Sequence, residues 1–224
     1  MPNVSLCAQE NEVHYNPYID PYNGHPYVEI GGLKWATMNV GATSVTDYGL
    51  YFQWGDTQGY TASQVGSGEG KKAFSWADYK YGNGTSSPGA TGMTKYNATD
   101  GLTTLEAVDD AAVANWGGSW RMPTTAEFQA LGAAVNTAWT QVNNVYGILC
   151  TDKTDSSKTL FFPAAGYCDS GSVIDVGDDG NYWSSSLDTG SRQGAYYLFF
   201  DSYGASWDDG YDRFYGFAVR PVVG

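Results

Sequence analysis

Carboxylates are the most abundant chemically able groups in this 224-residue chain, and two short runs concentrate them: Asp178-Asp179-Gly180-Asn181 and Asp208-Asp209-Gly210-Tyr211-Asp212. A calcium loop needs oxygens at regular alternate positions closed by a bidentate carboxylate, and neither run completes that pattern. Asp-Gly is ordinary turn chemistry, so both runs read as solvated turns, with a structural calcium ion left open and no other cofactor expected. Hydrolysis by paired carboxylates needs two groups held about 5 to 10 Å apart with one pKa raised. A chain with 24 acidic residues always offers such a pair, so the pattern selects nothing. Ser184-Ser185-Ser186 lacks the G-x-S-x-G elbow. Both histidines, His14 and His25, fall in a Pro/Tyr/Asn-rich opening stretch, which leaves no histidine base in the body of the domain. Cys7, Cys150 and Cys168 form an odd count without the close pair that a metal site wants. A Cys150–Cys168 disulfide depends on geometry that spacing does not supply, and free thiols are the expectation. These residues give no ground to expect an enzyme.

What remains is recognition by aromatic faces. Between Tyr182 and Phe217 the chain packs twelve aromatic residues among Gly, Ser and Asp, and from Asp169 to Gly224 it has no Lys, Glu, Met or His. Tyr and Trp offer large contact area for few rotatable bonds, while Ser, Gly and Asp offer adaptable hydrogen bonding, the mixture found in antibody combining sites. Tyr197, Phe199, Tyr203, Tyr211, Phe214, Tyr215 and Phe217 are candidates to stack on a sugar ring, an aromatic side chain or a protein patch. Tyr197, Tyr203 and Tyr211, set among Asp, Ser and Gly, are expected at the surface; Phe214 and Phe217 read equally well as filling for a small core under loops.

Composition narrows the partners. The formal charge of -13 repels phosphate backbones and anionic headgroups, so nucleic acid and membrane surfaces are poor partners, while polar, cationic and sugar ligands stay open. No apolar run approaches the roughly 20 residues of a membrane helix. The opening Met1-Pro2-Asn3-Val4-Ser5-Leu6-Cys7 lacks the basic, apolar, small-residue succession of a signal peptide.

These groups need elements to hold them. Residues 1–26, with four prolines, are expected to form an extended arm on the domain or on a neighbouring subunit, and residues 27–224 one domain. Tyr27–Ile30, Gly31-Gly32 and Leu33–Asn39 read as strand, tight turn and strand. Tyr51–Trp54 reads as a further short strand, and Gly55–Gly101 as a long irregular stretch anchored by Trp76 and Tyr79. Thr103 with Glu106 forms a capping box, with Leu105, Val108, Ala112 and Trp116 at helical spacing until Gly117-Gly118. Thr124 with Glu127 forms another, followed by Phe128, Leu131 and Val135. Two capped helices in a turn-rich chain predict an α+β domain. Thr159–Phe162 ends at Pro163, and Gly180-Asn181 reads as a turn entering a strand through Tyr182 and Trp183. In the strand Ala195–Asp201, Tyr196, Leu198 and Phe200 share one face, expected to be core. Tyr197, Phe199 and Asp201 share the other, expected to be surface. Ser202–Tyr215 reads as a loop anchored by Trp207, and Gly216–Val222 as a closing strand.

Six ordered motifs carry a resemblance: Val28–Asn39, Tyr51–Asp56, Trp116–Thr124, Phe161–Tyr167, Tyr182–Ser186 and Gly216–Val222. Together they resemble the paralogous surface-protein domains of gut bacteria, which are similar to C-type-lectin-fold proteins of the formylglycine-generating-enzyme type. This implies a C-type-lectin-like fold with paired N- and C-terminal strands and two helices outside. More narrowly, the chain looks like a variable protein of a diversity-generating retroelement, whose codons are rewritten at adenines over about residues 188–217. Asn codons so mutated never yield Lys, Glu, Met, Gln or Trp; Gln193 departs from that pattern. The resemblance assigns Tyr197, Phe199, Asp201, Tyr203, Ser206, Asp208, Asp209, Tyr211, Asp212, Phe214, Tyr215 and Phe217 to the diversified ligand-binding face. It assigns Trp183, Leu198, Phe200, Trp207, Arg213, Gly216, Val219 and Arg220 to the scaffold. The enzyme branch of this fold uses a cysteine pair near the C-terminus, and no cysteine follows Cys168. The implied function is recognition of a cell-surface protein or glycan, by a phage tail or a bacterial surface adhesin, with a homo-oligomer left open. A fixed-specificity lectin and a structural or fimbrial surface subunit are the alternatives.

Overall fold

A computed structural model describes residues 24–224. Most of the predicted N-terminal arm, with Cys7 and His14, therefore lies outside the described residues. Strands β1 (Tyr27–Ile30) and β2 (Leu33–Ala36) form the predicted antiparallel hairpin. Gly31 and Gly32 turn it at φ of 63° and 80°, values that a side chain would resist. From there to residue 110 the chain is mostly irregular. Tyr51 and Phe52 make single bridges to Tyr60 and Phe217 in place of the predicted strand.

Helix α1 spans only Ala111–Trp116, shorter than the Thr103–Glu106 box predicts. Asp110 caps it, its Oδ1 accepting from the backbone N–H groups of Ala112 (2.8 Å) and Val113 (3.1 Å). The preceding residues are claimed by other partners. Thr104 bridges to Ser186, Leu105 N–H donates to the Ser185 carbonyl, and Asp109 is held by Lys80, Lys95, Tyr81 and Tyr96. Val108, predicted on the buried face, is 74% exposed. Helix α2 (Thr125–Ala134) starts at the predicted capping box: Glu127 Oε2 accepts from Thr124 N–H at 2.7 Å, and Thr124 Oγ1 accepts from Glu127 N–H at 3.3 Å. Phe128 and Leu131 are buried as predicted, but Val135 leaves the helix and opens a strand.

That strand, β3 (Val135–Val142), pairs with β4 (Val145–Asp152) through an Asn143-Asn144 turn, both residues at positive φ, and β5 (Thr159–Pro163) completes the sheet on the far side of β4. A two-stranded ribbon of β6 (Tyr167–Asp169) and β7 (Ser172–Ile174) follows. The central sheet is β8 (Asp179–Leu187), β9 (Gly194–Asp201) and β10 (Gly204–Asp212), all antiparallel in the order β10-β9-β8. Gly180 lies within β8, not in a turn before it. The ring of Phe200 on β9 crosses over it so closely that a Cβ would sit 2.1 Å from Phe200 Cζ. Finally β11 (Val222–Val223) pairs antiparallel with β2, Val222 opposite Trp35, so the last strand closes the first sheet. The domain is thus mixed α+β, mostly small antiparallel sheets with two α-helices among the described residues.

Two apolar clusters flank the central sheet. One joins Tyr182, Leu198 and Phe200 to Trp35, Phe128, Leu131 and Phe162. The other joins Trp183, Leu187 and Tyr197 to Phe52, Trp54, Met122 and Phe217. Trp35, Trp54, Trp120 and Trp183 are all fully buried. Removal of each such side chain from water contributes on the order of 3 kcal/mol. Two arginines are buried as well. Arg220 donates from Nε to Asn39 Oδ1 (2.9 Å) and from Nη1 to the Ala36 carbonyl (3.1 Å), with Phe162 beneath it. Arg213 lies against Trp54 and Tyr79 and donates to the Lys95 carbonyl.

Candidate ligand-binding face

The twelve candidate residues divide by environment. Tyr203, at the two-residue turn between β9 and β10, is 96% exposed. Its turn is built by Asp201, whose Oδ1 accepts from the backbone N–H groups of Tyr203 (2.7 Å) and Gly204 (3.1 Å). One oxygen of Asp201 is therefore committed to the backbone. The expected loop after it is strand β10, and a bulge between Ser206 and Asp209 breaks its register against β9. At the bulge Asp208 and Asp209 reach solvent while Ser206 is half-buried. Trp207 there lies over Gly132 of α2, and Asp208 Oδ2 accepts from Gln129 Nε2 at 2.8 Å.

Three candidates are in the interior. Tyr197, expected at the surface, is 6% exposed, because the closing segment 213–217 folds over that face of β9. Its ring lies 4.8 Å from that of Phe217, which stacks on Trp183 at 4.1 Å and is itself 1% exposed. Phe214 is buried against Trp76 of the long irregular stretch and stacks on Tyr215 at 4.2 Å. The expected division of β9 into a core face and a surface face gives way to a strand with apolar partners on both. Phe199, Asp212 and Tyr215 are half-buried, and Tyr211, 44% exposed, lies 4.5 Å from Tyr215.

Tyr197, Phe199, Tyr211 and Phe217 nevertheless converge. With Tyr167, they wall a cleft of about 210 Å³ whose polar groups are Asp175, Asp179 and Asn181. Asp179 also borders a larger, more open depression of about 450 Å³ shared with Trp139, Tyr146, Asp201 and Tyr203. Asn181 Nδ2 donates to Asp179 Oδ1 at 2.7 Å. Burial pushes the Asp179 carboxyl up to about 7, and the neighbouring Asp175, Asp201 and Asp178 act in the same direction. Phe214, Ser206 and Asp208 stand apart from this cleft.

Sequence reasoning reached the four aromatic walls and missed Tyr167, Asp175, Asp179 and Asn181 as site residues. The available signal was the run of Asp175, Asp178 and Asp179 immediately ahead of an aromatic strand, which composition alone reads as a turn. Among the described residues no group of three or more His, Cys, Asp and Glu side chains is placed to hold a metal ion. Cys150 and Cys168 are free and buried, and burial pushes the Cys150 thiol up to about 12. Among the described residues no helix is long and apolar enough to cross a membrane. No family model, curated protein or solved structure matches the chain.

Proposed function

We propose that residues 27–224 are a C-type-lectin-like domain that acts as a non-catalytic binding protein. In this reading a retroelement rewrites its aromatic and acidic face, and that face recognises a protein or glycan receptor from a phage tail or a bacterial surface. One observation carries the reading. Trp183, Leu198, Phe200, Arg213, Gly216, Val219 and Arg220, which the resemblance assigns to the scaffold, are all buried, and Trp207 is half-buried. Of the residues it assigns to display, all but Tyr197, Phe214 and Phe217 reach solvent. A binding face that is rewritten must be carried by a core that is not, because a buried aromatic truncation costs about 3 to 5 kcal/mol while exposed changes stay within about 0.5. Both described thiols are buried, and the His25 ring is stacked on Trp116 at 3.7 Å, so none of these groups belongs to the proposed display face.

Deep sequencing of this gene across a natural population tests the proposal. Variation concentrated at adenines between codons 188 and 217, with a near-copy repeat and a reverse transcriptase nearby, is the expected result. An invariant segment overturns it in favour of a fixed-specificity lectin or a structural surface subunit.

A further inference from the structure

We infer that the cleft between Tyr197, Phe199, Tyr211 and Phe217 receives a single organic cation, the ammonium or guanidinium group of a lysine or arginine side chain on a protein ligand. This rests on the binding function proposed above and names the chemistry of that same face. The walls are aromatic, and a ring face attracts a cation through its quadrupole, more strongly where water is displaced. The polar groups are Asp175, Asp179 and Asn181, so negative charge meets aromatic faces in one recess. Only Oδ1 of Asp179 takes the hydrogen bond from Asn181, leaving the second oxygen of the carboxylate for a donor from outside. At about 210 Å³ the cleft is smaller than the roughly 300–1,000 Å³ of sites that engulf a whole small molecule, and suits one side chain. A chelated metal ion is the weaker occupant, because these acids do not gather into a three-ligand set among the described residues. The net charge of -13 draws a cationic partner toward the molecule from a distance.

Two properties follow. Tyr167, Asp175, Asp179 and Asn181 all precede residue 188, outside the segment proposed to vary, whereas the four walls lie inside it. Rewriting at Phe199 and Tyr211, the two walls that reach solvent, would then reshape the recess while keeping its preference for positive charge. Binding also competes with protonation. The charged groups acting on Asp179 are Asp175 and Asp178 on the approach to β8 and Asp201 on β9, with the Tyr167, Tyr197 and Tyr211 phenols across the cleft. With the carboxyl near 7, the ionised form rises about tenfold between pH 6 and pH 8, and apparent affinity for a cation rises with it.

The test titrates the whole chain with Nα-acetyl-arginine amide, Nα-acetyl-lysine amide and the neutral Nα-acetyl-norleucine amide, followed by tyrosine ring resonances. The cationic probes are expected to bind in roughly the millimolar range, about tenfold tighter at pH 8 than at pH 6, with no binding of norleucine. Asp179→Asn is expected to abolish the pH dependence and lower affinity about tenfold, and Asp175→Asn to lower affinity and move the pH dependence toward lower pH, because it removes a charge that raises the Asp179 carboxyl. Equal binding of norleucine, no binding of either cation, or an unchanged profile in Asp179→Asn overturns the inference. The two proposals fail separately, since codon variation is read without any ligand and the probes bind or not whatever the gene's history.

Discussion

Asp179 is ionised at some cost to the fold, and that cost gives it a pH signature. Its folded carboxyl, near 7, sits above the unfolded value of about 3.9, so its stabilising contribution is complete below about pH 4 and is lost as pH rises through 7. Because the group is partly solvated, the loss is screened to about 1 to 2 kcal/mol. Asp179→Asn should therefore melt above the parent at pH 8 and level with it at pH 4, in paired thermal scans. Two tyrosines that look alike in the sequence separate as sharply. Tyr203→Ala should leave Tm unchanged within error, whereas Tyr197→Ala should cost about 3 to 5 kcal/mol in denaturant unfolding. The alternation of β9 told which residues share a face. It could not tell that residues 213–217 return to cover it, because that contact belongs to the chain's tertiary path.

At the scale of elements, legibility followed local chemistry. The β1–β2 hairpin and α2 were readable because a Gly-Gly turn and a Thr124/Glu127 box write their geometry into neighbouring residues. Strand β10 was not, because Gly204–Asp212 is rich in the Gly, Asp and Ser that strands disfavour, and pairing with β9 holds it in place. The β3–β4 hairpin is turned by Asn143-Asn144, a signal as clear as Gly-Gly that the reading passed over. The start of α1 was misplaced for a different reason. Asp109 binds Lys80 Nζ at 2.9 Å, Lys95 Nζ at 2.5 Å and Tyr96 OH at 2.7 Å, contacts from a segment far back in the chain. Lys95 and the other donors hold this carboxyl well below the usual range despite the opposing effect of burial. Its contribution is complete above about pH 4 and is lost as pH falls further. Asp109→Asn should cost about 1 to 3 kcal/mol at pH 7 and open the 80–101 stretch to limited proteolysis, with the gap to the parent narrowing in acid. Helix α2 offers a second check. Gly132→Ala would raise helix propensity by about 1 kcal/mol, yet its Cβ would fall 2.6 Å from the Trp207 indole, so net destabilisation of about 1 to 3 kcal/mol is expected in urea unfolding.

For the whole molecule, the division between covered and open residues sets what the fold can tolerate. A library varying Tyr203, Asp208, Asp209 and Tyr211 should remain protease-resistant in most members, while one varying Tyr197, Phe214 and Phe217 should lose resistance in most, as read by sorting displayed chains after digestion. The closing segment gives this division a further meaning. Arg220 and Val222 are translated after residue 217, yet they complete the sheet that β1 and β2 begin: Arg220 binds Asn39 and Ala36, and Val222 pairs with Trp35. A reading-frame slip or a stop codon between Phe162 and Arg220 deletes this closing contact and leaves Trp35 and Phe162 without their cover. Such a product stays unfinished and exposed to proteases. Folding of this domain thereby depends on translation continuing in frame through β11, which pairs with β2 of the opening hairpin.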